Sequence, residues 1–382
     1  MSDATRVQLA YVKETTFNTK KTGSNLQIIR KVSEDLALQA QTHVSGELNA
    51  DRQTNGIRRV QFSTSGPVNG ELSYGTYDDW LASALQDSAW STPATVTAST
   101  ISASSTDNSF NDSANGFNSL VANQWIYASG FTNAANNGFF KIKTKTSTKI
   151  TVTGGTLVTE SAGSSRTIKM GGYIENGTTL DTYNLERTYA DLSQEIALFK
   201  GQAINQWSLE IPTTGAVATT FQFLGASEES LTASAGSGYT AATTSRPFTS
   251  LDLTNLLENN TAMQIRSLSF TLDNQLHQRL IAGSAGVLSI GSGPIRLEGS
   301  MEAYYASKTL YDKYVNETVT SLAVALRDPD GNGYVIELPR VAFSSANRSS
   351  SQSPDVLARL NFTAYKHPTE TVTIRVARFP VA

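Results

Sequence analysis

The chain has no cysteine, only three histidines and no long apolar run. The first absence removes disulfides and thiolate chemistry. His43, His277 and His367 fall in separate stretches with no partner at metal-ligand or triad spacing, and a surface or strand-end position accounts for each. HExxH, GxSxG, a P-loop and a Rossmann fingerprint are all missing, so the sequence points to no enzyme, metal or cofactor. No apolar stretch approaches the roughly 20 residues that cross a bilayer. The start, Met1-Ser2-Asp3-Ala4-Thr5, is too polar for a signal peptide, and synthesis and assembly in a cytosol are expected. Charge is scarce as well: 16% of 382 residues are charged and the net charge is −3, too little for a dedicated nucleic-acid or membrane-surface binder.

Ser, Thr, Asn and Gly fill the space left by charge, a mixture typical of β-rich, turn-rich proteins. Period-two alternation recurs along the chain, as in Val60 and Phe62, in Leu268, Phe270 and Leu272, in Trp207-Ser208-Leu209-Glu210-Ile211, in Thr220-Phe221-Gln222-Phe223, and in the stretches 322–326, 335–338 and 372–376. Helical spacing is convincing only at 77–85 and 307–315. Each of these follows a strand of a passage written twice: Ser65-Gly66-Pro67-Val68 leading to Tyr77-Asp78-Asp79-Trp80-Leu81, and Ser292-Gly293-Pro294-Ile295 leading to Tyr304-Tyr305 and Leu310-Tyr311. Each half is therefore expected to be a sheet sandwich with one helix on its flank.

Between 92 and 172 the composition shifts to Ser, Thr, Asn and Gly, with short strands expected at 124–127, 138–143 and 149–152 and turns at Asn136-Asn137-Gly138 and Gly154-Gly155. This reads as a small, outward-facing β-domain inserted at a loop tip. Six cations against three anions give it +3, which leaves −6 for the rest of the chain. The expected organisation is a discontinuous first module at 1–91 and 173–230, the insert at 92–172, a linker at 231–245 and a second module at 246–382.

Three candidate sites have simpler explanations. Asp328-Pro329-Asp330-Gly331-Asn332-Gly333 places donors as a calcium loop would, but the closing carboxylate would fall at Pro339, so a hairpin turn is expected. Lys141, Lys143 and Lys145 alternate along one strand; they could face anionic glycans, but lysine on an edge strand that resists stray pairing is the better reading. The pairs Asp78-Asp79 and Glu228-Glu229 do not face one another as glycosidase carboxylates must; the first suits a helix start and the second a solvated loop.

Several stretches, in order, resemble the major tail tube proteins of phages with long non-contractile tails: Val7-Gln8-Leu9-Ala10-Tyr11-Val12 with Glu14-Thr15-Thr16-Phe17, then 45–53, 70–78, Leu185-Glu186-Arg187-Thr188-Tyr189, 200–209 and 267–274. The resemblance covers nearly the whole chain apart from the insert. It implies a mainly β fold of two tandem tail-tube-type β-sandwich modules, each with a flanking α-helix, plus the inserted small β-domain. It also implies a virion protein that polymerises into stacked rings. Such tubes commonly have six-fold rings of single-module subunits, so two modules per chain suggest a trimeric, pseudo-six-fold ring, with a hexamer as the alternative. The implied partners are further copies of the chain, a tape measure protein, tail terminator and tail tip proteins, and double-stranded DNA that passes without specific binding; the −6 outside the insert predicts an acidic bore. Inter-subunit contacts are expected from the excursion at 44–57, with Glu47, Asp51, Arg52 and nearby Arg58, reaching a neighbouring ring. The region 273–292, with Asp273, Asn274 and Arg279, holds the corresponding place in the second half. A host-recognition protein of the tail tip or fibre, using the insert as its binding module, is the competing reading.

Overall fold

A computed structural model describes residues 3–192, 195–305, 307–349 and 356–381. The chain is mainly β, with two short α-helices. Strand β1 (Val7–Lys13) pairs with β2 (Asn25–Ile28), while β3 (Ser33–Glu34) and β4 (Ala37–Val44) both lie along the long β5 (Ile57–Glu71). Helix α1 (Asp78–Ala84) follows.

Seven strands then make a separate sheet: β6 (Ala94–Ala98), β7 (Ile101–Ser104), β8 (Ser109–Asp112), β9 (Trp125–Ser129), β10 (Gly138–Lys145), β11 (Lys149–Thr153) and β12 (Arg166–Met170). Their order is β6-β12-β9-β10-β11-β8-β7, around a core that includes Phe110, Phe117, Phe140 and Ile142. The edge position expected for Lys141, Lys143 and Lys145 is not found, because β10 lies inside the sheet between β9 and β11. Lys141 is buried there, its charge met by carboxylates from elsewhere in the chain.

The main body resumes with β13 (Gly172–Glu175), β14 (Tyr183–Tyr189), β15 (Ile196–Ile211), β16 (Ala218–Gly225), β17 (Ser227–Leu231) and β18 (Gly238–Thr240). The stretch 231–245, expected as a linker, lies against the body: β18 runs parallel to β2, and the Ala235 amide donates to Glu186 at 2.8 Å. After it come β19 (Leu253–Glu258), β20 (Thr261–Ala262), β21 (Ser267–Asp273), β22 (His277–Arg279), β23 (Ser289–Gly291) and β24 (Arg296–Tyr304). Helix α2 (Thr309–Val315), β25 (Thr320–Arg327), β26 (Gly333–Ser349), β27 (Leu357–Ala364) and β28 (Arg375–Phe379) complete the chain. The turn between β25 and β26 is the expected hairpin turn: Asp328 accepts from the Asn332 amide at 2.8 Å and its own amide donates to Asn332 O.

Pairings repeat along the chain. β19 pairs with β20 and β25 as β1 pairs with β2 and β14. β26 pairs with β25, β27 and β28 as β15 pairs with β14, β16 and β17. Both long strands change partners midway. In β15 the change falls at Gly201, whose φ of 67° lies in the left-handed region and where a Cβ would meet Ala226 at 2.9 Å. In β26 it falls near Pro339, which has no amide to offer a ladder.

The principal core gathers the inner faces of both sets of strands around α1. Trp80 and Tyr77 pack on Phe221 at 5.3 and 5.5 Å between ring centroids, and Tyr11 covers Trp80 from the other side at 5.3 Å. Helix α2 differs from α1: none of its residues is buried, although Leu310 and Tyr314 rest on the core. Its Lys313 reaches Glu258 at 2.5 and 2.7 Å, which ties the helix down through charge where α1 is held by apolar packing.

Candidate assembly surfaces

One run of strands, β4-β5-β16-β15-β21-β24-β27-β26, crosses the whole body. Alternation gives it two unlike faces. One contributes Val68, Phe221, Trp207, Phe270, Met301 and Leu360 to the core. The opposite face is largely polar, because the registers align Asn69, Thr220, Ser208, Thr271, Glu298 and Thr363 in one cross-strand row. Hydroxyl and amide pairs stitch it: Thr220 to Asn69 at 2.8 Å, Ser208 to Thr271 at 2.9 Å and Gln206 to Asp273 at 3.0 Å. From residues 65–71 of β5 across to β27, carboxylates of Glu71, Glu210, Asp273, Glu298 and Glu302 outnumber the guanidinium groups of Arg296 and Arg359 on this face.

Both ends of the run are open among the described residues. β3 and β4 pair only with β5, and residues 342–349 of β26 pair only with β27. At the middle, β15 and β21 are joined by six residue pairs, from Gln206↔Asp273 to Ile211↔Leu268. Asn274, expected to contact another copy, is an internal residue of this seam: it is buried and donates to Ala84 O and Ile204 O at 2.9 and 3.2 Å. Asp273 beside it accepts from Gln206 and from the Gln275 amide.

The candidates Glu47, Asp51 and Arg52 do come together, at the exposed tip that joins β4 to β5. Asn55 donates to Glu47 at 2.7 Å, the Gln53 amide donates to Asp51 at 3.1 Å, and Arg52 takes a left-handed φ of 62°. Arg58 lies further down the ribbon opposite His43, and Leu48, Ile57 and Val44 leave apolar surface uncovered beside it. Arg279 is exposed on β22.

A buried ionic cluster, not foreseen from the sequence, fastens the seven-stranded sheet to β26 and β28. Lys141 Nζ lies 2.6 Å from Glu337 and 2.7 Å from Glu370, while Arg375 reaches Glu175 at 2.7 Å, Glu337 at 2.8 Å and Glu370 at 3.0 Å. Trp125 Nε1 donates to Glu337 at 2.9 Å, and Trp125 and Phe139 pack on Leu257, Val335 and Phe379. Burial alone would raise the Glu370 carboxyl, yet the Lys141 ammonium and the Arg375 guanidinium hold it below the usual range. Arg375 is held above its usual value by Glu337, Glu175 and Glu370, against the opposing effect of burial. A second tie links α1 to β28: Arg378 and the Tyr334 hydroxyl both bond Asp78. Burial nonetheless leaves the Asp78 carboxyl raised. No two of the three histidines share a site, and no group of acidic and histidine side chains suited to a metal is present among the described residues.

A sheet with one apolar face and one largely polar face, open at both ends among the described residues, is a surface suited to association with further copies or partners. The comparison with known families gives the particular kind of protein. The chain matches the phage tail tube proteins over residues 4–364 and belongs to that family. No curated protein matches it. It is thus a structural component of a phage tail, and no helix among its described residues is long and apolar enough to cross a membrane.

Proposed function

We propose that the chain polymerises into stacked rings that form the tail tube, the conduit for DNA ejection, and that three chains close each ring. In this reading residues 1–91 with 173–230 and residues 246–382 are two tandem sandwich modules, and 92–172 is the inserted domain. The observation that carries it is the β15–β21 seam, which already joins two sets of equivalent strands edge to edge and leaves an equivalent pair of edges open at the two ends. A heterologous contact that repeats the seam between copies generates a ring when its rotation closes. Each added ladder bond contributes only about 1 kcal/mol net, so several bonds and packed apolar area must act together.

The polar face, with its excess of carboxylates, becomes the wall of the bore. Phosphate binding strengthens with every Lys or Arg contact, and such a wall offers DNA little to hold. Assembly in the host cytoplasm, with tape measure, terminator and tip proteins as partners, belongs to the same reading. The test is negative-stain electron microscopy and sedimentation of the purified chain over a concentration series. Hollow tubes or stacked rings are the expected result; discrete particles at every concentration would overturn it.

A further inference from the structure

The repeated pairings pose a specific question about one exposed trough. The β22–β23 ribbon, itself from the second half, lies over a seat in the first half at the ends of β1, β14 and β15. Ile290 and Val287 bury themselves with Ala203 and Ala226, beside Phe17 and Leu180, and Gln278 donates to Gly225 O at 2.9 Å. Ser289 and Ile290 also line a hollow with Glu14, Thr15, Leu180 and Thr182.

The same seat exists in the second half, where no ribbon among the described residues covers it and the seven-stranded sheet borders it through Asn123, Lys141, Lys143 and Thr153. The pairs Lys13↔Tyr183 and Tyr183↔Gln202 correspond to Glu258↔Leu322 and Leu322↔Leu338. Glu14 and Thr15 then correspond to Asn259 and Asn260, Leu180 and Thr182 to Val319 and Ser321, and Ala203 to Pro339. The turn at His367 follows β27 as the turn at Ala226 follows β16. These second-half residues all line one trough of about 510 Å³.

The ribbon that would match it is also uncovered. Glu34↔Val68 corresponds to Phe270↔Gly299, and beyond these Thr42↔Arg59 and His43↔Arg58 correspond to Gln278↔Ile290 and Arg279↔Ser289. The outer part of the β4–β5 ribbon is thus the counterpart of β22–β23. Ile290 is 6% exposed on the seated ribbon, whereas its counterpart Arg59 is exposed; Leu280 and Leu288, 48% and 54% exposed, correspond to Val44 and Ile57 at 50% and 70% and stay outward on both ribbons. An occupied seat and an empty one, a seated ribbon and a free one, leave one consistent occupant.

We propose that residues 41–60 of one copy of this chain sit in the trough at Asn259, Asn260, Val319, Ser321, Pro339 and His367 of a second copy in the same ring. This rests on the ring reading above and assigns the ribbon a contact within the ring rather than between rings. Its tip, 45–56, is longer than the 280–288 loop of the seated ribbon and extends past the trough.

The absence of cysteine makes the test clean. Chains carrying Arg59→Cys are mixed with chains carrying Val319→Cys, and separately Arg58→Cys with Asn260→Cys; all four positions are exposed in the single chain. After assembly the mixtures are treated with a short bismaleimide and resolved on a denaturing gel. Dimers in both mixtures, and in neither singly substituted sample, are expected. Combining both changes of a pair in one chain should give covalent oligomers that stop at the number of chains in a ring. Assembled tubes with no cross-link, or with a ladder running beyond that number, would overturn the seating and leave the ring reading intact. Failure of the unsubstituted chain to assemble would overturn the ring reading itself.

Discussion

Replacing Lys141 with methionine should loosen the seven-stranded sheet from β26 and β28. Lys141 Nζ bonds Glu337 and Glu370 at 2.6 and 2.7 Å, and these three side chains are 11%, 4% and 12% exposed. Removing one partner of a buried ionic cluster costs about 3–5 kcal/mol, because the other is left charged and unmatched. Here Arg375 still meets both carboxylates, which places the expected cost near the lower end, about 3 kcal/mol. Glu370→Gln alone should cost about 1.5–3 kcal/mol, the worth of hydrogen bonds to a charged group. If the cluster acts as one unit, the double variant should cost less than the sum by about 1–2 kcal/mol. Urea denaturation gives the three values, and hydrogen exchange of the 138–145 amides reports whether the loss is local to β10. Costs that add within about 0.5 kcal/mol would refute the coupling.

Acidification should act on the same junction. The Glu370 pKa is lowered, so its contribution is present above its usual value of 4.5 and is lost as pH falls through the depressed folded value. Asp78 has the opposite sign: its raised carboxyl favours the fold below its usual value of 3.8 and loses that contribution as pH rises through the folded one. Proteolysis between 92 and 172 should therefore accelerate below about pH 4.5, and a rate unchanged to pH 3 would contradict this assignment. Gly70→Ala should destabilise the chain by about 2–4 kcal/mol, since the new Cβ would stand 1.9 Å from the Tyr77 hydroxyl that donates to Arg30 O. Adding Tyr77→Phe, which removes that hydroxyl, should recover part of the loss in a melting experiment; no recovery would place the strain elsewhere. Deleting 46–55 should leave a folded chain, because the tip is exposed and bonds mainly within itself. If 41–60 forms the contact proposed, the deletion should weaken polymerisation, as sedimentation would show, and unchanged tubes would count against a role for the tip.

Much of the strand pattern was legible because period-two alternation reports which face of a strand meets the core, and the residues concerned are neighbours. Trp207-Ser208-Leu209 and Thr220-Phe221-Gln222 are cases where the apolar member lies in the core and its polar neighbours on the opposite face. Turn chemistry at 328–333 was legible for the same local reason. Lys141 was not, because what makes its burial tolerable comes from Glu337 and Glu370, about two hundred residues away. The two helices read alike in sequence, yet only α1 is roofed by aromatics from β1 and β14, which the spacing within a helix cannot reveal. Asn274 was expected at a contact with another copy; its side-chain amide donates to Ala84 O and Ile204 O at a seam that exists only once β15 and β21 have met.

The most direct test of the central claim is a helical reconstruction of assembled tubes by cryo-electron microscopy. Three chains per ring are expected, with residues 342–349 of each chain pairing with the β3–β4 edge of the next and the polar face of the β4–β26 run turned toward the bore. Six chains per ring, or a ring closed through any other edge, would contradict it.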